Sequence, residues 1–186
     1  MKRKLNLPLS KETAATLHAG DSVLLSGTMY TARDAAHQRL VEMLENSSPL
    51  PFNLNNAAIY YVGPSPAFDT HVIGSAGPTT SGRCDKYTPA LLQSGVTVLI
   101  GKGKRSDEVK KQITQHSAVY LAATGGAGAL LARCIKTSKV IAFDDLGTEA
   151  IRELSVENFP AIVINDAHGR DYYDTARQAY LSTVNK

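Results

Sequence analysis

The chain has no tryptophan, and its only cysteines are Cys84 and Cys134. Two thiols do not make a disulfide framework in a chain of this size. Nor do they alone supply the ligand set of a structural zinc or iron–sulfur site. The histidines, His18, His37, His71, His116 and His168, fall at no metal-ligand spacing. Charge of one sign is also missing: 20 Lys and Arg stand against 17 Asp and Glu, a net charge of +3. That balance speaks against a nucleic-acid partner and leaves room for a short basic patch that takes small anions. Long apolar runs are absent. The apolar, uncharged run at residues 117–132 is too short and too glycine-rich to span a membrane. Asn6 and Pro8 interrupt the apolar residues behind the basic N-terminus, so no signal-peptide core forms there. A soluble cytoplasmic protein with no membrane contact is expected.

What is present fits one globular domain over residues 1–186: 43% hydrophobic and 20% charged residues, in a length that can bury a real core. Apolar, β-branched runs at 21–27, 57–62, 71–75, 96–100, 118–122, 139–143 and 161–165 read as strands. Helical patterns lie between them, the clearest at 31–46 and 106–116. Shorter ones fall at 11–17, 83–93, 149–154 and 171–182. Strands alternating with helices predict an α/β fold with a largely parallel sheet, mixed near its N-terminal part.

The stretch from Gly74 to Lys86 carries the strongest chemical signal. Gly77-Pro78 is a turn. Thr79, Thr80 and Ser81 are helix-capping residue types, Gly82 lets a ligand approach the backbone, and Arg83 falls in the expected first turn of a helix. A cation is unfavourable there unless an anion sits on top. An ordinary capped helix whose arginine points into water explains the stretch equally well. The helix at 31–46 repeats the oddity: Thr31 is its expected cap, and Arg33 lies in its first turn with His37 on the same face. Ser106, followed by Asp107 and Glu108, shows the normal arrangement.

Nucleotide motifs fail. Gly126-Ala127-Gly128 has Leu131 where a dinucleotide fingerprint needs glycine, and Gly101-Lys102-Gly103 has neither the earlier glycine nor the hydroxyl residue of a phosphate loop. No Gly-x-Ser-x-Gly elbow occurs. What remains is Arg33, Arg83 and Lys102, each near the end of an expected strand. In open α/β sheets such ends converge on one crevice, and arginines hold carboxylates bidentately. A site for a small dianion is expected, with Thr79 and Thr80 beside it.

Gly77-Pro78-Thr79-Thr80-Ser81-Gly82-Arg83, with Thr31-Ala32-Arg33-Asp34-Ala35-Ala36-His37 and Ile100-Gly101-Lys102-Gly103, resembles the class I, iron–sulfur fumarate hydratases, and within them the C-terminal domain or separate β subunit. The likeness covers nearly the whole chain, and tartrate dehydratase small subunits are close relatives. It implies a swivelling β/β/α domain that works with an α subunit carrying a 4Fe-4S cluster, with no metal ligand in this chain. It implies interconversion of L-malate and fumarate plus water. Arg33, Thr79, Thr80, Ser81, Gly82, Arg83 and Lys102 then surround a dicarboxylate, Thr79 is the proton-abstracting residue, and His37 supports the site from behind. Thr79 needs an activating partner that this chain does not obviously supply. Cys84 departs from the methionine expected in relatives; Arg83 beside it would lower its pKa, although a structural role is favoured. A tartrate dehydratase subunit and a non-catalytic carboxylate-binding or assembly domain are the competing readings. Homodimerisation is left open.

Overall fold

A computed structural model describes residues 2–184. Strand β1 (Arg3–Leu7) and helix α1 (Lys11–Ala14) lead into β2 (Ser22–Thr31), α2 (Asp34–Glu45) and β3 (Ala58–Tyr60). A long loop and a 3₁₀ turn (Ser81–Cys84) follow, then α3 (Thr88–Gln93), β4 (Val98–Gly101), α4 (Asp107–Gln115), β5 (Val119–Ala122) and α5 (Gly128–Arg133). The chain ends with β6 (Ile135–Ala142), a second 3₁₀ turn (Asp144–Glu149), β7 (Ile151–Asn165) and α6 (Tyr172–Val184).

One sheet of seven strands runs β1-β2-β3-β4-β5-β7-β6, and β2 also pairs with β7. The pairs β1–β2, β2–β3, β3–β4 and β4–β5 are parallel, whereas every pair made by β7 is antiparallel. Mixing therefore comes from the C-terminal strand, not from the N-terminal part expected. Two long strands make closure work. One edge of β2 carries β1 along Val23–Gly27 and β3 at Tyr30–Thr31, while its other edge pairs with β7. One edge of β7 carries β2, and the other is shared between β6 and β5. Strands β2, β3, β4, β5 and β7 thus form a closed ring.

Alternation along the short strands splits the core in two. Ala58, Tyr60, Val98, Ile100, Val119 and Leu121 pack in one cluster with Leu25, Met29 and Phe159. Their neighbours Ile59, Tyr61, Leu99 and Tyr120 pack in another with helix residues Ala36, Leu40, Leu91, Leu92, Val109 and Ile113. The helices cover the second face, so the first lines the inside of the ring. A ring this small is filled by its own side chains, and the strands read as unbroken apolar runs because both faces are buried.

Several sequence expectations change. The 149–154 segment is not helical: Glu149 ends a 3₁₀ turn and Ile151 begins β7, whose 15 residues also absorb the strand expected at 161–165. Residues 71–75 form no strand; they fold back on the loop, with Ser65 N–H donating to Ser75 O and Gly74 N–H to Ser65 O. The helix expected over 83–93 is a four-residue 3₁₀ turn followed by a six-residue helix. Thr31 is not a cap but the last residue of β2, and its buried hydroxyl donates to Ala150 O and accepts from Arg152 N–H. Among the described residues no helix is long and apolar enough to cross a membrane.

Candidate functional site

The parallel strands β2, β3, β4 and β5 all point their C-terminal ends to one side, and the residues singled out from sequence follow those ends. Arg33 sits just after β2, at the capping position of α2 rather than in its first turn. It makes no side-chain cap there. The free N–H of Ala35 is instead taken by Glu149 Oε2 at 3.2 Å, from the turn before β7. The same carboxylate places Oε1 3.3 Å from Arg33 Nη2. Beneath Arg33 lies Gly63, after β3: a Cβ at Gly63 would come within 2.8 Å of both Cδ and Nη1 of Arg33.

The 79–83 segment is laid along the end of β4. Thr79 N–H donates to Tyr61 O at 2.7 Å, Lys102 N–H to Thr79 O at 3.2 Å, and Ser81 N–H to Lys102 O at 2.9 Å. None of the three hydroxyl residues caps a helix. Lys102 N–H also donates to Ser81 Oγ at 3.1 Å, and Ser81 Oγ lies 2.9 Å from the Tyr120 hydroxyl. Tyr120 in turn donates to Gly103 O at 2.9 Å, so Ser81 must be the donor to Tyr120. Ser81 is fully buried, and its role is to bind Lys102 and the 79–83 segment to β5. Thr79 is half-buried and Thr80 and Gly82 are exposed. Among the described residues the Thr79 hydroxyl makes no hydrogen bond.

Arg83 is carried by the 3₁₀ turn, not by a helix start, so the helix-dipole argument for an anion there falls. What holds it is Asp34, the first residue of α2, whose Oδ1 lies 3.2 Å from Arg83 Nε. Asp34 Oδ2 is 3.9 Å from Arg33 Nη2. One carboxylate thereby lies between Arg33 and Arg83, and the backbone ladder pairs Thr79 with Lys102. The Lys102 side chain borders a groove floored by Ala122 and Ile164 and walled by Thr124, Gly125 and Tyr173. A second, more apolar groove between Phe68, Val72 and α5 touches none of the three cations.

His37 is fully buried behind Arg33. Burial holds its pKa down to about 4, so the ring is neutral at pH 7. Its Nδ1 lies 2.9 Å from Arg33 O. A carbonyl only accepts, so Nδ1 carries the proton and the buried Nε2 is left without a partner among the described residues. His37 touches the backbone of Arg33 and has no route to solvent.

The segment bearing Arg83 is fastened by a residue that sequence reasoning passed over. The Arg105 side chain is fully buried; Nε donates to Asp85 Oδ1 and Nη2 to Thr88 Oγ1, each at 2.7 Å, and Nη1 to the Tyr61 hydroxyl at 3.3 Å. Cys84 lies in the same packed region. Burial pushes its thiol up to about 12, the opposite of the lowering expected from Arg83, and the residue packs as a small apolar group. Among the described residues no group of three His, Cys, Asp or Glu gathers as a metal site.

Comparison with known proteins places the chain in a family. A family model described as Fumarase C-terminus matches residues 1–176. A Methanocaldococcus jannaschii protein whose proposed identity is L(+)-tartrate dehydratase subunit beta is 39% identical over 184 residues, covering 96% of this chain and 94% of its own. Fumarate hydratase 2 of Leishmania major is 39% identical over 178 residues, covering 93% of this chain and 31% of its own. The aerobic class I fumarate hydratase of Escherichia coli K12 is 37% identical over 174 residues, covering 91% and 32%. The chain therefore spans nearly all of the first relative and about a third of the other two.

Proposed function

The chain belongs to the fumarase C-terminal family, and from that premise we propose that it is the β subunit of a two-component hydro-lyase interconverting L-malate and fumarate plus water. In this reading it is one cytoplasmic domain of the swivelling β/β/α type. The observation that carries the proposal is the set of cations at the C-terminal ends of the parallel strands. Asp34 joins Arg33 to Arg83, and Lys102 is tied by its backbone to Thr79.

The chemistry assigned to this chain follows from those groups. Dehydration of malate removes a proton from the carbon beside one carboxylate and hydroxide from the next carbon. As the proton leaves, negative charge spreads onto that carboxylate. Arg33, Arg83 and Lys102 hold the two carboxylates and stabilise the added charge as it develops. Thr80 and Gly82, both exposed, flank them, while Ser81, fully buried, holds the segment from behind and does not reach substrate. Thr79, whose backbone is held by two hydrogen bonds and whose Oγ1 has no partner among the described residues, supplies the atom proposed to take the proton. A threonine hydroxyl needs an activating base for this, and that group is assigned to the partner. His37 fixes the Arg33 backbone from behind and does not touch substrate.

Class I relatives imply an iron–sulfur cluster, which would act as a Lewis acid on the substrate hydroxyl. This chain's thiols do not fit as its ligands. Cys84 is buried and held protonated, and Cys134 stands at the end of α5 with its Sγ–H directed at Leu130 O and Asn158 O. The cluster is therefore proposed to lie on a partner α subunit.

Tartrate is the second reading, favoured by the M. jannaschii relative, which this chain matches almost end to end. The test is co-expression with the cluster-bearing partner, anaerobic cluster reconstitution, and fumarate absorbance after adding L-malate. Activity that needs both chains, and is lost in Thr79→Ala while the complex persists, is the expected result. Turnover of tartrate instead moves the substrate. No turnover of either overturns the reading.

A further inference from the structure

Arg83 has a longer-range partner than its place in a surface turn would suggest. Its side chain is 58% exposed, yet Nε is held 3.2 Å from Asp34 Oδ1, across from a different element. A guanidinium has one edge formed by Nε with an Nη and another formed by the two Nη groups. Asp34 occupies the first edge. That contact is an ion pair at Nε alone, and the edge formed by the two Nη groups is left for a carboxylate in the bidentate geometry that arginine favours.

Asp34 is itself well anchored. It is the first residue of α2, where the helix dipole favours a negative charge. Its Oδ2 is buried without a hydrogen bond among the described residues, as is Arg33 Nε. Arg33, 3.9 Å from that Oδ2, is pinned separately by Glu149. The two arginines therefore do not share their anchors equally: Glu149 serves Arg33, and Asp34 serves Arg83 while lying against Arg33.

We infer that Asp34 is a positioning residue, which orients Arg83 beside Arg33 so that the two guanidinium groups act as one carboxylate clamp. The inference rests on the proposed assignment of both arginines to substrate binding. An opposite effect must be weighed. Asp34 is an anion next to an anion site, and its charge alone would weaken dicarboxylate binding. Close contact with Arg83 compensates that charge, whereas an unheld arginine loses several rotamers when it binds. Orientation outweighs repulsion, and the two effects predict opposite signs on removal.

Succinate, a dicarboxylate that cannot be hydrated or dehydrated, separates them. Its binding to the reconstituted complex is measured by calorimetry, with kcat and KM for L-malate in parallel and thermal unfolding as the check on folding. Asp34→Ala is expected to weaken succinate binding about tenfold and to raise KM more than it lowers kcat. Asp34→Asn keeps an oxygen for Arg83 Nε and falls between wild type and Asp34→Ala; it decides the matter if the alanine variant folds poorly. In an Arg83→Ala background, Asp34→Ala should cost less than about twofold, because the residue through which it acts is gone. Tighter succinate binding in either Asp34 variant, or an equal cost in both backgrounds, overturns the inference alone. A wild-type complex that binds no succinate overturns the site assignment and the inference with it.

Discussion

Ser81 Oγ fills the space that a side chain on Gly101 would need. The two residues lie on different segments, and the hydrogen bond from Lys102 N–H to Ser81 Oγ closes the contact. Glycine at 101 is thus required by close approach of the 79–83 segment, not by backbone conformation. Gly101→Ala should destabilise the chain by roughly 1–3 kcal/mol, the usual cost of overpacking. It should also loosen Lys102. Urea unfolding reads the first effect; an unchanged midpoint would show that the two segments separate freely.

Gly63→Ala tests the bed on which Arg33 lies. The added methyl would meet Arg33 Cδ and Nη1 at 2.8 Å. It would also come within 3.2 Å of Thr148 O, but Arg33, the flexible side chain of the two, is the group that must shift. The expected outcome is about a tenfold or greater rise in KM of the complex, with thermal stability within about 0.5 kcal/mol of wild type. Unchanged kinetics would mean that Arg33 does not hold substrate.

His37 sets a pH dependence of stability. Its folded pKa of about 4 lies below the ordinary histidine value of 6.5. The unfolded chain therefore binds the proton more readily. The stabilisation is fully present above the unfolded pKa, and is lost as pH falls from about 6.5 towards 4. A shift of that size corresponds to something on the order of 3 kcal/mol. His37→Gln should flatten the fall in unfolding midpoint between pH 7 and pH 4.5. An unaltered slope would place the acid sensitivity elsewhere.

Arg105→Met removes the buried cation that joins Asp85, Thr88 and the Tyr61 hydroxyl. Asp85 still accepts from Ser106 N–H, but it loses its counter-charge. Breaking a buried pair on one side costs about 3–5 kcal/mol. Chemical denaturation should show that loss, together with weakened dicarboxylate binding, because the segment carrying Arg83 is fastened by the same contacts.

The cations of the candidate site stood out in the sequence because each follows an apolar run or a glycine-rich turn, although neither Arg33 nor Arg83 lies in the helical first turn expected for it. Their supports did not. Asp34 is next to Arg33 in sequence but acts on Arg83, and Glu149 reaches Arg33 across 116 positions. Such pairings depend on the closing of the sheet, which no local pattern encodes. The same cause misread the segment from Glu149 to Leu154. Its charges and good helix formers suggest a helical turn, but pairing with β2 and β6 on both edges overrides that preference. The α/β class, the short buried strands and the cap at Ser106 needed no such long-range information, and the structure contains them.

The two-sided pairing of β7 also sets when the molecule can become itself. The strand that closes the ring joins Glu153 to Tyr30 and Ile162 to Ser22, so its partner was synthesised more than a hundred residues earlier. Closing so long a loop is slow relative to local pairing. Glu149, which holds Arg33, arrives with that strand. During synthesis Arg33 would emerge more than a hundred residues ahead of Glu149, and would gain that anchor only once the turn before β7 had been made.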